Sequence, residues 1–366
     1  GVHDLNTDFL GVSPWAVTLP EYLIDQGYAT AGIGKLFHGG KSDGIMEKRA
    51  WQFHTADEDL PYANGFRAPA LFYQGKQQQA AFDALRSDGG AVSYGKAKQV
   101  LKAKQLNLST ENLDIPDEAY GDGALRVEAL NFLDQLSKGE APFFLAVGFR
   151  KPHLPFVAPK KYWDLYDRDA LPLANYREAP AAAPAFALHS WGELKNYADI
   201  PGEGPLPEPK QRELIHGYHA CVSYIDAQIG HLLNGLESRG LSDNTVVVLF
   251  GDHGWHLGDH GVWCKHTNYE QATRTPLILA GPGVPAGART HSPTELVDVY
   301  PTLCELTDTP VPAHLDGISL APLFANPEQP LREVAVSSYP RFGGKMGYAF
   351  RDERYRYVVW TINDDP

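Results

Sequence analysis

Apolar and polar positions alternate along this chain in two periods. In VTLPEYLIDQGYATAGIGKLFH (17–38) apolar residues recur first at helical spacing and then run together. The spacing predicts a helix starting near Thr18, with Thr18 and Glu21 as a capping box and Gly27 as its end, followed by a small-residue strand, ATAGIG. The same succession returns in DGALRVEALNFLDQLSKG (122–139), a helix, and APFFLAVGF (141–149), a continuous apolar strand. It returns again in 210–240, one long amphipathic helix or two, before TVVVLF (245–250), PLILAGPG (276–283) and a helix over 295–307. Residues 40–120 are polar and irregular with a few short helices expected, and 171–207, rich in Pro and Ala, reads as an extended loop.

Strands alternating with helices predict an α/β fold: a large, mostly parallel sheet flanked by helices. Past residue 330 the pattern changes. EVAVSSYPR, GYAFRD and RYRYVVWT read as short antiparallel strands, so the chain divides into an α/β domain over 1–328 and the beginning of an antiparallel subdomain over 329–366.

Three strands end in basic or metal-type residues. Ligands bind outside the carboxyl ends of parallel strands, where Lys35, His38, His153, Asp252 and His253 are expected to converge. Asp252 and His253 offer a hard oxygen and an imidazole nitrogen to a divalent cation, although the same pair could cap a turn. Gly251, Gly254, Gly258 and Gly261 would let the backbone approach a ligand or adopt positive φ. His256, Asp259, His260 and His266 are expected to be loop residues rather than ligands. Lys265 could hold an anionic oxygen as a point charge. GKLFH (34–38) and FRKPHLPF (149–156) each set a lysine and a histidine past a strand, so together they describe a pocket for a tetrahedral oxyanion and a proton transfer. Lys151, Arg341 and Arg354 are candidate substrate-binding residues; the arginines could read a carboxylate or be sheet-edge surface charges.

Composition narrows the partners. A net charge of −13 disfavours nonspecific binding to nucleic acid or anionic membrane. No run of 18 apolar residues predicts a membrane span, and three scattered cysteines make neither a disulfide framework nor a zinc ribbon.

GKLFH, FFLAVGFRKPHLPF, GYHACVSYIDAQIGHLL, GDHGWHLGDHGVWCKHTNYEQATRTPLIL, LDGISLAPLF and MGYAFRDERYRYVVW resemble, in this order, segments of the type I, formylglycine-dependent sulfatases, and within them the iduronate-2-sulfatase branch. The resemblance implies an alkaline-phosphatase-like fold, one Ca2+ ion, and a formylglycine nucleophile made by the formylglycine-generating enzyme from a Cys or Ser in a C/S-x-P-S-R motif. Cys221, Cys264 and Cys304 are followed by VSY, KHT and ELT, so none carries that motif; by the resemblance it belongs upstream of Gly1. Carried over residue by residue, Asp252 and His253 match calcium ligands, Lys35 and His38 match residues holding the formylglycine and the sulfate, and His153 and Lys265 match contacts to the sulfate and its leaving oxygen. His153 would be the general acid and His38 the base. The implied substrate is a sulfated carbohydrate, with the 2-O-sulfate of a uronic acid in a glycosaminoglycan-like polysaccharide foremost, and the implied location is extracytoplasmic. Two alternatives stay open: a phosphomonoester or phosphodiester hydrolase of the same superfamily, and an inactive carbohydrate-binding remnant.

Overall fold

A computed structural model describes residues 7–38, 43–66, 72–86 and 94–362. The GVHDLN start and the last four residues of the expected C-terminal sheet lie outside them.

The first predicted helix, α1 (Leu19–Asp25), begins at Thr18, whose backbone N–H donates to the Glu21 carboxylate at 2.9 Å. It is followed by Gly27 at φ +88°, a left-handed turn that suits glycine. Strand β1 (Ala29–Gly34) then enters the body. It pairs in parallel with β2 (Phe53–His54) on one side. Helix α2 (Gly121–Leu136) leads into β3 (Phe143–Gly148), which runs parallel to β1 on its other side over all six residues. Helix α2 lies across these strands because Ala124, Leu125, Ala129, Phe132 and Leu136 fall on one face, where they join Ala31 and Ile33 in a core cluster.

The segment over 210–240 folds as a single helix, α3 (Glu208–Ser238). Its Leu214, Ala220 and Tyr224 enter a second cluster with Phe156 and Trp163. Beyond it, β4 (Val247–Phe250) and β5 (Leu277–Ala280) pair antiparallel, an exception within the mostly parallel arrangement expected. Among the described residues β3 pairs only with β1 and β4 only with β5. The side chains of β3 are accordingly half-buried, despite their apolar sequence. Helix α4 (Val299–Leu306) follows.

The C-terminal sheet is as expected: β6 (Ala335–Arg341), β7 (Lys345–Arg351) and β8 (Arg356–Ile362), antiparallel in that order. Two sets of ion pairs and hydrogen bonds bind it to the body. Arg351 and Arg356 share Glu270 at 3.1 and 2.8 Å, and Arg341 reaches the carbonyls of Phe186, Ala187 and His266. No helix among the described residues is long and apolar enough to cross a membrane.

Candidate active site

The ends of β1 and β3 are held unusually close. A side chain at Gly34 would meet the Gly148 carbonyl at 2.3 Å, and one at Gly148 would meet the Lys35 carbonyl at 2.2 Å, so both positions require glycine. The Lys35 amide then donates to Gly148 O at 2.8 Å. Lys35 and the 150–155 turn consequently leave the sheet side by side. Asp122, buried at the start of α2, accepts the backbone N–H groups of Arg150 at 2.8 Å and Lys151 at 3.0 Å and fixes the base of that turn.

Lys151 departs from its expected role. Its ammonium is turned inward and donates to the carbonyls of His153 at 2.7 Å and Pro155 at 2.9 Å, while burial pulls its pKa down. The turn is wrapped around its own lysine, which shapes the loop.

That turn aims His153. Its Nδ1 lies 2.8 Å from the carbonyl of Leu154, so Nδ1 carries a proton and Nε2 faces the pocket. Nε2 is 2.5 Å from Lys265 Nζ and 2.8 Å from Glu193 Oε1, and Lys265 Nζ lies 2.9 Å from the same oxygen. Trp255 floors this group, with its ring 5.2 Å edge-on from His153 and 5.0 Å beneath the Lys265 ammonium. Lys265 follows Cys264, a buried residue at φ +74°; such left-handed backbone costs on the order of 1–3 kcal/mol at a non-glycine residue and here turns the chain just before the lysine.

The other half of the site is open. Lys35 Nζ lies 3.4 Å from Asp252 Oδ2, and His253 Nε2 lies 3.7 Å from Asp252 Oδ1. His253 uses Nδ1 on the carbonyl of Gly254 at 2.9 Å, leaving Nε2 for another partner. Gly254 is pressed against backbone rather than ligand: a side chain there would meet Gln271 O at 2.0 Å. The two halves meet where the His153 and His253 rings stand 6.4 Å apart. His38 is exposed three residues beyond Lys35.

Burial alone would raise the Asp252 pKa, but His253 and Lys35 beside it hold it below the usual carboxylate range. The same contest is stronger at Glu193: burial works to raise its pKa, yet hydrogen bonds from His153 and His266 and the charge of Lys265 keep it firmly anionic. Glu193 is the residue that sequence reasoning missed, and His266, expected as a loop residue, is one of its partners. Glu193 sits in the Pro- and Ala-rich segment read as a plain loop, and its Oε2 lies 3.2 Å from His266, which in turn lies 2.5 Å from the Tyr339 hydroxyl of β6. The only sequence signal was an isolated carboxylate between Trp191 and Lys195, with nothing to name its partners.

The two candidate arginines lie at opposite ends of the C-terminal sheet. Arg341 comes close to the site, but its guanidinium is spent on the three backbone carbonyls that anchor the C-terminal sheet. Arg354 is exposed in the turn between β7 and β8, the opposite end of a seven-residue strand from Arg341, about 20 Å away.

Asp252 and His253 fit a hard divalent cation in kind, since one is an exposed carboxylate and the other keeps a ring nitrogen free. They supply two donors where calcium takes about six to eight, and no group of three or more such ligands occurs among the described residues. All three cysteines are buried, and burial raises their pKa values, that of Cys221 to about 12. None is an activated nucleophile.

A family model described as Sulfatase matches residues 6–309, and one described as N-sulphoglucosamine sulphohydrolase, C-terminal, matches 258–365. Iduronate 2-sulfatase of Mus musculus is 30% identical, covering 95% of this chain and 71% of its own length. A sulfatase of Formosa agariphila is also 30% identical, covering 94% of this chain and 62% of its own. Among solved structures, a 2-O GAG sulfatase superposes with a TM-score of 0.65 at 19% identity, over 99% of this chain and 69% of that one. A protein bound to its substrate D-glucosamine-2-N,6-O-disulfate superposes at 0.68 with 20% identity, over 98% and 76%.

The fold is therefore the alkaline-phosphatase-like fold. Within that class the chain belongs to the sulfatase family and is a sulfatase.

Proposed function

We propose that this sulfatase removes the 2-O-sulfate of a uronic acid in a glycosaminoglycan-like or other sulfated polysaccharide, in an extracytoplasmic compartment. The observation that carries the chemistry is the convergence of His153 Nε2 and Lys265 Nζ, from segments 112 residues apart, on one point at the strand ends. The sugar assignment is supported by the likeness to iduronate 2-sulfatase over nearly the whole chain.

In this reading a formylglycine, made from a Cys or Ser by the formylglycine-generating enzyme, supplies the nucleophile, and a calcium ion supplies positive charge against the sulfate oxygens. Asp252 and His253 would hold that ion in part. The chain's own residues do the rest. Lys265 and Lys35 donate to sulfate oxygens and stabilise the charge gathering there as the ester bond breaks. His153 Nε2 gives a proton to the departing sugar oxygen, a poor leaving group without one. Its Nδ1 stays on the Leu154 carbonyl, so the ring delivers the proton without turning. His38 takes up the proton that must leave before sulfate is released. The buried Lys151 keeps the His153 turn in shape throughout.

Sulfate release from disaccharides that differ only in sulfate position tests the assignment. The 2-O-sulfated uronate is expected to react at least about tenfold faster than its 6-O- or N-sulfated counterparts. A preference for either counterpart would defeat the 2-O assignment while leaving sulfatase activity intact.

A further inference from the structure

Glu193 has no part in the chemistry just described, yet it is paired with His153, Lys265 and His266. Its Oε1 lies 2.8 Å from His153 Nε2 and 2.9 Å from Lys265 Nζ. These are the two atoms assigned above to the oxyanion and its leaving oxygen. The carboxylate is also held from behind, where Oε2 lies 3.2 Å from His266. Its backbone is braced on both sides: the Lys195 ammonium lies 4.4 Å from the Trp191 ring centroid, and Asn107 donates to the Asn196 carbonyl at 2.7 Å. Displaced from Oε1, Glu193 would still be tied to His266, so its negative charge stays in the pocket when a substrate arrives.

Lysines and a histidine do not by themselves separate a sulfate ester from a phosphate ester, because both are tetrahedral and offer the same acceptor oxygens. Charge does separate them. A sulfate monoester carries one negative charge, whereas a phosphate monoester carries nearly two above its second pKa of about 6. An ester oxygen hydrogen-bonded to His153 or Lys265 at about 2.9 Å can lie no farther than about 6 Å from Glu193 Oε1. At that distance an additional unit of like charge disfavours binding and transition state alike by ~10- to 100-fold at the effective dielectric of a protein site.

We propose that Glu193 is a specificity-determining residue: a fixed anion beside the oxyanion seat that admits singly charged sulfate esters and repels doubly charged phosphate esters. This rests on the assignment of His153 and Lys265 to the sulfate. It accounts for a half-buried carboxylate set against the cation that an anion-binding site needs.

The test compares kcat/KM for 4-nitrophenyl sulfate and 4-nitrophenyl phosphate at pH 8, with the matured full-length enzyme. The leaving group is shared, and the ratio of the two rates does not depend on how much protein is correctly folded. Glu193→Gln is expected to shift the sulfate-to-phosphate ratio toward phosphate by at least tenfold, and Glu193→Asp, which keeps the charge, to hold it within about threefold of wild type. Glu193→Ser serves as a second neutral replacement should the Gln variant not fold. A ratio unchanged within threefold in a neutral variant overturns the proposal. A wild-type enzyme that cleaves the phosphate ester as well as the sulfate ester overturns it too. Wild-type enzyme that cleaves no sulfate ester would instead remove the reading on which the proposal rests.

Discussion

Two lysine–carboxylate pairs stand at the ends of these strands, and they are built differently. Lys35 and Asp252 are 3.4 Å apart with side chains 37% and 61% exposed, whereas Lys265 and Glu193 are 2.9 Å apart at 16% and 22%. The inner pair is braced by His153, His266 and Trp255 and is complete from the protein alone. The outer pair is loose, with a ring nitrogen of His253 beside it left over. In the proposed mechanism the inner half moves a proton and grips an oxyanion, which needs its atoms fixed in advance, because positioning made during the reaction would cost rate. The outer half would gain its order from the proposed cation, and exposed ion pairs contribute at most about 1 kcal/mol without one.

The comparison can be broken from either side. Replacing Lys265 with Met strikes the inner half, and kcat/KM for sulfate release is expected to fall by about 10²- to 10³-fold; a loss below tenfold would mean that the inner half does not carry the reaction. Asp252→Asn strikes the outer half. Wild-type protein is expected to gain about 2.7 kcal/mol of unfolding stability in calcium at a hundredfold over Kd. The Asn variant should lose most of that gain, and equal gains in both would remove Asp252 from the ion's shell. Calcium titration of the unfolding curve gives this result without any assay of activity.

Arg341→Ala sharpens the picture at smaller scale. It withdraws donors from carbonyls that include that of His266, and a cost of about 1–3 kcal/mol in urea unfolding is expected. Arg354→Ala, in an exposed turn, should stay within about 0.5 kcal/mol of wild type. A reversed order would mean that Arg354, not Arg341, anchors the C-terminal sheet.

Candidates on both sides could be named because they are close in sequence to strand ends: GKLFH, FRKPHLPF and GDHG stand out by position. The helices could be read for a similar reason, since the Thr18–Glu21 box and the apolar face of α2 are local patterns. The carboxylate that joins His153 and Lys265 depends on long-range pairing. Glu193 is 40 residues from His153 and 72 from Lys265, in a segment with neither helical nor strand period, so nothing local marks it. Lys151 misleads for the opposite reason: it stands where a substrate lysine would stand, and only the turn around it shows that its donors are spent on backbone. The direction of β5 was equally hidden, because an apolar run of four residues fits either orientation of a ladder.

His153 Nε2 is proposed to hand a proton to the departing sugar oxygen. This transfer is tested most directly by measuring His153→Ala on two sulfate esters, a sugar sulfate whose alcohol leaves poorly and 4-nitrophenyl sulfate whose phenolate leaves well without a proton. The sugar sulfate should lose about 10²- to 10⁴-fold in kcat/KM and the aryl sulfate less than about tenfold. Equal losses on both substrates would contradict the account.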